Sequence, residues 1–356
     1  MNAMYLPSYL NLPVNRLAAS FGNTSATYKF YWLLALTEAV EQGTTTIQKK
    51  EMFSRMIASA WYTVNYFHIS FGKQDLIQDA IQVITKEENI SIDTSKSALL
   101  GKLVASDNPV TQKHLFHFNK NVPHWFLTPW FPKFSGESDG SYKNRIYSES
   151  QQFNKQTLYA LHDSHIVINP EWTPYLQANA RLIKDFCYWN LALFLQSRNP
   201  NVPDIPGKLF KPPFRGTLAN QRKNYWDIVF KELGTIECIF TNIALKADRY
   251  ALDHFVPHAF VSHDLIWNLI PIDKSFNAFK SDRLPSIDKH FDKFYSLQKA
   301  AYEIISIHNP KNKLLDEYLT IFPELSDQSG FEYQRYKENI QPLIAIAQNN
   351  GFIQFI

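Results

Sequence analysis

The stretch from Leu252 to Pro285, LDHFVPHAFVSHDLIWNLIPIDKSFNAFKSDRLP, concentrates the residue types that do phosphate chemistry. An acid and a histidine, Asp253 and His254, end a short apolar run. Asn268 follows a second apolar run, and Asn277 and Lys280 sit in a short segment with helical patterning. A hard divalent cation such as Mg²⁺ prefers oxygen donors, takes few of them from protein and keeps several waters. A histidine, with an ordinary pKa of roughly 6.5, is suited to taking a proton from water at neutral pH. Together these side chains could hold one hard cation against a phosphodiester and deprotonate a water beside it. An Asp-His pair on its own would read as a core or capping feature, so the other positions carry the argument.

The elements that must position these groups read as strand, loop, strand, helix. The first strand spans Arg249 to Asp253 and leaves Asp253 and His254 at its end. A loop containing Pro257, His258 and His263 follows, then a second strand from Trp267 to Pro271. A helix runs from Asp273 to about Ser281, with Asp273 as its N-cap. Asn277 and Lys280 are three positions apart, so they share a helix face that can be turned towards the end of the first strand. His263, followed by Asp264, reads as a loop-bracing hydrogen bonder. For His258, contact with metal or phosphate and a purely structural role both stand open.

The spacing resembles the HNH (ββα-metal) endonuclease family. It is closest to the HNH domains of CRISPR effector nucleases, which share the D-H-x-x-P opening (Asp253, His254, Pro257) and a closing N-x-x-K-S-D-x-x-P (Asn277, Lys280, Ser281, Asp282, Pro285). The resemblance covers roughly residues 206–300, its specific part being 252–285. It implies Asp253 and Asn277 as ligands of Mg²⁺ (or Mn²⁺), His254 as general base, and Asn268 as the residue that pins the loop and so aims that base. Lys280, facing the phosphate, would add a fixed positive charge near the transition state. Many relatives place a C-x-x-C knuckle just upstream, whereas this chain has Cys238 followed by Thr241, so no structural zinc is expected.

The implied activity is metal-dependent hydrolysis of DNA phosphodiester bonds, with bacterial restriction or anti-phage defence as the family's habitual setting. An RNA- or tRNA-cleaving toxin-like nuclease is the alternative, because the site grips a phosphate and no base. A third reading, a nucleic-acid-binding subunit of a defence complex, would show a degenerate site, and Asp253, His254 and Asn277 are all present. A homo-oligomer or a partner defence subunit is compatible with the resemblance.

The whole chain has 356 residues, 45% of them hydrophobic and 15% aromatic, enough to bury a full core and to exclude wholesale disorder. Its net charge of +3 allows a nucleic-acid partner without arguing for one, so any binding face must come from local clustering. Cys187 and Cys238 make no disulfide framework. Without a signal-peptide pattern or a membrane-length apolar run, a cytoplasmic location is expected and no membrane partner.

The expected fold class is α+β and mainly helical. A helical region (1–205), with target recognition or regulation as its expected role, precedes the nuclease domain (206–300, core 249–285) and a helical C-terminal extension (301–356). In the first region, helices are expected on the apolar faces Tyr28–Val40 and Met52–Val64, around Leu76–Ile84 and Ser97–Val104, and over Leu176–Gln196, with a hairpin across Thr157–Asn169. Trp61 reads as core, and His114, His117 and His124 as non-catalytic. Beyond a proline-rich break near Pro206, Lys208, Lys211, Arg215, Arg222 and Lys223 occur with no acid among them. They read equally as phosphate contacts or as a solvated loop, and Arg215, Arg222 and Lys223, with Arg283 and Lys280, are the candidate nucleic-acid contacts.

Overall fold

The computed structural model describes residues 6–210, 216–325 and 330–355. The chain forms two compact units, one of residues 1–200 with 205–211, the other of residues 201–204 with 212–356. Among the described residues no helix is long and apolar enough to cross a membrane.

The first unit is a helical bundle carrying a small sheet. Its helices include α1 (Tyr28–Glu41), α2 (Lys49–Asn65), α3 (Leu76–Glu87), α4 (Lys96–Ala105), α5 (Asp139–Gln151) and α6 (Ala180–Gln196). The sequence leads to a helix with one apolar face over Tyr28–Val40. The structure instead buries Phe30 through Thr37 without interruption, so α1 runs through the middle of the unit. Buried Asp75 ties two helices together: it accepts from Thr27 at the start of α1 and caps α3 through the Ile77 N–H. Trp61 is buried and donates to the Ile92 carbonyl, a core role. Strands β2 (Tyr159–Leu161) and β3 (His165–Ile168) form the hairpin, and β1 (Thr46–Gln48) adds to the far edge of β3. The long helix expected over Leu176–Gln196 is broken at Asn179 into Thr173–Ala178 and α6.

In the second unit a helix α7 (Asp227–Leu233) leads to a short hairpin of β4 (Ile236–Glu237) and β5 (Ala244–Leu245). Strands β6 (Tyr250–His254) and β7 (Leu269–Asp273) pair antiparallel, with Asp253 opposite Ile270 and His254 opposite Leu269. Between them lie a short helix α8 (His258–Val261) and a single 3₁₀ turn (Ile266–Asn268). Helix α9 (Lys274–Lys280) follows β7 directly and packs on both strands. Asp273 caps it as expected, accepting from the Ser275 and Phe276 N–H groups at 3.0 Å each.

The C-terminal helices α10 (Ile287–His308) and α11 (Tyr333–Asn349) belong to this same unit. Phe255 beside the site stacks on Phe294 of α10, ring centroids 4.0 Å apart, and Phe294 meets Tyr336 of α11. The chain end returns to the hairpin-and-helix core, where Leu284 N–H donates to the Ile353 carbonyl and Phe355 packs on Phe240 and Phe276. A ββα unit buries little apolar surface alone, and these helices supply the core it lacks.

Candidate active site

β6 runs apolar and ends in two polar residues. Asp253 and His254 are nonetheless nearly enclosed, with side chains 12% and 2% exposed. Enclosure of a carboxylate requires a partner. Lys280, at the end of α9 and fully buried, supplies it: its Nζ donates to Asp253 Oδ2 and to the His254 carbonyl, at 2.8 Å each. The expectation that Lys280 faces a phosphate is therefore corrected. Its charge is spent inside the protein, locking the end of β6 to α9.

The imidazole of His254 is held from the loop. Its Nε2 lies 2.9 Å from Asp264 Oδ1, while Nδ1 lies on the side of Asp253, 3.9 Å from Oδ1. An ionised carboxylate only accepts, so Nε2 is the nitrogen that donates to Asp264, and Nδ1 is the one left facing Asp253. Asp264 is itself anchored, its carbonyl accepting from Gln221 Nε2 at 3.1 Å. The His258 ring packs edge-on against His254, and its Nε2 is 3.9 Å from the same Asp264 oxygen. His263 braces the loop, accepting from the Leu265 N–H and packing on Trp267.

Asn268 is fully buried and spans the loop. Its Oδ1 accepts from the Val256 N–H and its Nδ2 donates to the Val256 carbonyl, both at 2.8 Å. Its own carbonyl accepts from the Phe255 N–H at 2.7 Å. These three bonds join the turn after His254 to the start of β7. The far side of the loop is held by the C-terminal helices and by a 3₁₀ turn between them, Glu317–Thr320. Glu317 accepts from the Ile266 N–H, Gln298 Nε2 donates to the Leu269 carbonyl at 2.8 Å, and the Tyr336 hydroxyl donates to the Trp267 carbonyl. Burial, with the nearby charge of Asp264, pushes the Glu317 carboxyl above its ordinary pKa.

Asn277 lies one turn before Lys280 on α9 and is half-buried. Among the described residues no group of three or more His, Cys, Asp or Glu is arranged to hold a metal ion. A donor set of one carboxylate and one amide suits a hard cation that retains water, not a soft one needing thiolates or several imidazoles. Asp253 Oδ1, the oxygen that Lys280 leaves, is the available carboxylate donor. HNH nucleases are in general dependent on divalent metal, and this site fits that chemistry.

The candidate nucleic-acid contacts separate. Arg222 is partly exposed and donates to the Tyr250 and Ala247 carbonyls with its guanidinium 4.0 Å over the Tyr250 ring. Arg283 stacks on Phe279 at 4.6 Å, and Lys223 is exposed. Arg215 lies outside the described residues. Asp264, Gln221, Glu317, Gln298 and Tyr336 were not singled out by sequence. Only Asp264 carries a signal there, as an acid inside the loop of the motif.

Residues 238–286 match the family model described as HNH endonuclease. No curated protein and no solved structure matches the chain. The matched segment contains the β6–β7 hairpin, its pinned loop and α9, and with them Asp253, His254, Asn268 and Asn277. The second unit therefore carries a domain of the HNH endonuclease family, whose members hydrolyse phosphodiester bonds of nucleic acid.

Proposed function

We propose that this protein is a Mg²⁺-dependent DNA endonuclease in which His254 is the general base. The observation that carries this reading is the orientation of His254, with Nε2–H given to Asp264 and Nδ1 on the Asp253 side. His254 Nδ1 takes the proton of the attacking water, and Asp264 stabilises the imidazolium that results. Asp253 Oδ1 and the Asn277 amide oxygen would be the protein's donors to the cation, and Lys280 keeps the Asp253 carboxylate from turning away. When bound, the cation supplies Lewis-acid stabilisation of the charge developing on the leaving oxygen. Asn268 fixes the loop against which the base is set.

Purified protein incubated with plasmid DNA and with total RNA, across Mg²⁺, Mn²⁺ and Ca²⁺, tests the reading. DNA cleavage that depends on Mg²⁺ or Mn²⁺ supports it, and cleavage of RNA alone shifts the substrate to RNA. The biological setting we propose, bacterial restriction or anti-phage defence, rests on the family resemblance. Phage plating on cells expressing wild-type or His254→Ala protein tests it, equal plaque counts being the contrary result.

A further inference from the structure

Beside the loop that carries Asp264, the second unit has a polar cavity of about 430 Å³. Asn220, Asn224, Asn309, Lys311, Lys313 and Glu317 are among the residues that line it. Its walls come from the helical turns at 219–226, the loop after α10, and the short helix Lys313–Asp316. None of these lies within the segment that matches the HNH family.

The lining is rich in donors. Lys311 and Lys313 are exposed and make no ion pair among the described residues. Asn224 Nδ2 donates to Asn220 Oδ1 at 2.7 Å, which leaves the Asn220 amide N–H pair for a ligand. Asn312 Nδ2 donates to the Asn224 carbonyl at 2.8 Å and joins two walls, so the rim is built rather than accidental. One acid also lines it: Glu317 turns one oxygen to the Ile266 N–H, so the lining carries two ammonium groups against one carboxylate.

Amides in pairs beside an excess of ammonium groups suit a chain of phosphates and sugars, where lysines neutralise charge and amides donate to oxygens. The cavity also lies close to the chemistry in bonding terms. Gln221, next to Asn220, holds the Asp264 carbonyl, and Asp264 holds His254.

We propose that this asparagine–lysine cleft binds the phosphodiester backbone of the nucleic acid being cut, alongside the scissile position. The proposal rests on the nuclease reading above. The cleft grips backbone, so it serves DNA or RNA without distinguishing their sequence.

The test uses full-length His254→Ala protein, which keeps substrate intact, and a fluorescent 30-mer DNA duplex and its RNA counterpart. Lys311→Ala/Lys313→Ala is added to that background, with Lys289→Ala/Lys337→Ala, neither of which lines the cleft, as the charge-matched control. Two lost phosphate contacts predict a log K against log salt slope flatter by about 1.8 on duplex DNA, with roughly tenfold weaker binding at moderate salt. In the cleaving protein, KM should rise by a larger factor than kcat falls. Circular dichroism matching the parent confirms that each variant is folded. An unchanged slope and affinity in the cleft variant, with cleavage intact in the wild type, overturns the cleft alone. An equal loss in the control pair also overturns it, as a diffuse charge effect. A His254→Ala protein that binds neither duplex, with no cleavage by the wild type, overturns both readings.

Discussion

Asp264→Ala is the perturbation that separates a positioned base from a histidine that merely sits near a metal. In the structure Asp264 Oδ1 accepts a hydrogen bond from His254 Nε2 at 2.9 Å and leaves Nδ1 on the Asp253 side. Removing the carboxylate frees the ring to change tautomer and withdraws the negative charge that would stabilise the imidazolium. A hydrogen bond to a charged group contributes about 1.5–3 kcal/mol. At about 1.36 kcal/mol per factor of ten in rate, the loss is roughly 10- to 150-fold in kcat. KM should change little, since Asp264 touches no substrate in this account. Losing His254 itself removes general-base catalysis, typically ~10²–10⁴-fold. The decisive comparison is the double variant. If Asp264 acts through His254, His254→Ala/Asp264→Ala should be no slower than His254→Ala alone, a non-additivity seen when residues act as one unit. Single-turnover cleavage at saturating metal reads the chemical step directly. Wild-type rate in Asp264→Ala, or full additivity in the double variant, would refute the reasoning.

Three further perturbations follow from named contacts. Lys280→Met leaves the nearly enclosed Asp253 carboxylate without its partner, and breaking a buried pair costs about 3–5 kcal/mol, so a marked drop in urea midpoint is expected. An unchanged midpoint contradicts that role. Asn268→Ala orphans the buried N–H and carbonyl of Val256, at about 1–3 kcal/mol for each unsatisfied group, so exchange protection across 255–268 should fall well before that of α10. Protection equal to wild type refutes the pinning role. In the first unit, burial first, then the charges of Lys143 and Lys49, hold the His124 pKa down at about 4. The unfolded chain therefore binds this proton more readily between about 6.5 and 4. The stability that His124 contributes is full above that window and is lost as pH falls through it. His124→Gln should show a shallower loss of urea midpoint over the same range, and an identical pH dependence contradicts the assignment.

What the sequence discloses and what it withholds follow physical lines. Asp273 as a helix cap, the pairing of the strands around the loop, and a shared helix face for Asn277 and Lys280 depend on residues close in sequence, and all are legible there. The partner of Lys280 is not legible. The helix-face argument turns it towards the end of β6, but whether it meets a phosphate or Asp253 depends on depth, which only packing sets. Asp264 is ten positions from His254 along the chain, and the turn pinned by Asn268 brings it back. Gln298 and Tyr336 hold the same loop from helices whose patterning reports only that they are amphipathic, and Glu317 holds it from a short turn between them. The all-round burial of α1 and the three-residue β1 are likewise tertiary facts, since a strand that short gains its identity from β3 across the sheet.

The central claim is that His254 performs general-base catalysis of phosphodiester cleavage at a metal held by Asp253. The most direct measurement is single-turnover cleavage of one labelled DNA duplex by full-length wild type, Asp253→Ala and His254→Ala protein, stripped of metal and then titrated with Mg²⁺. The account predicts no cleavage without metal and saturable cleavage by the wild type. His254→Ala should be slower by ~10²–10⁴-fold at every metal concentration. Asp253→Ala should differ from it in needing more Mg²⁺ to approach its maximum rate. Metal-independent cleavage by the wild type, or a His254→Ala protein that cuts at the wild-type rate, would contradict it.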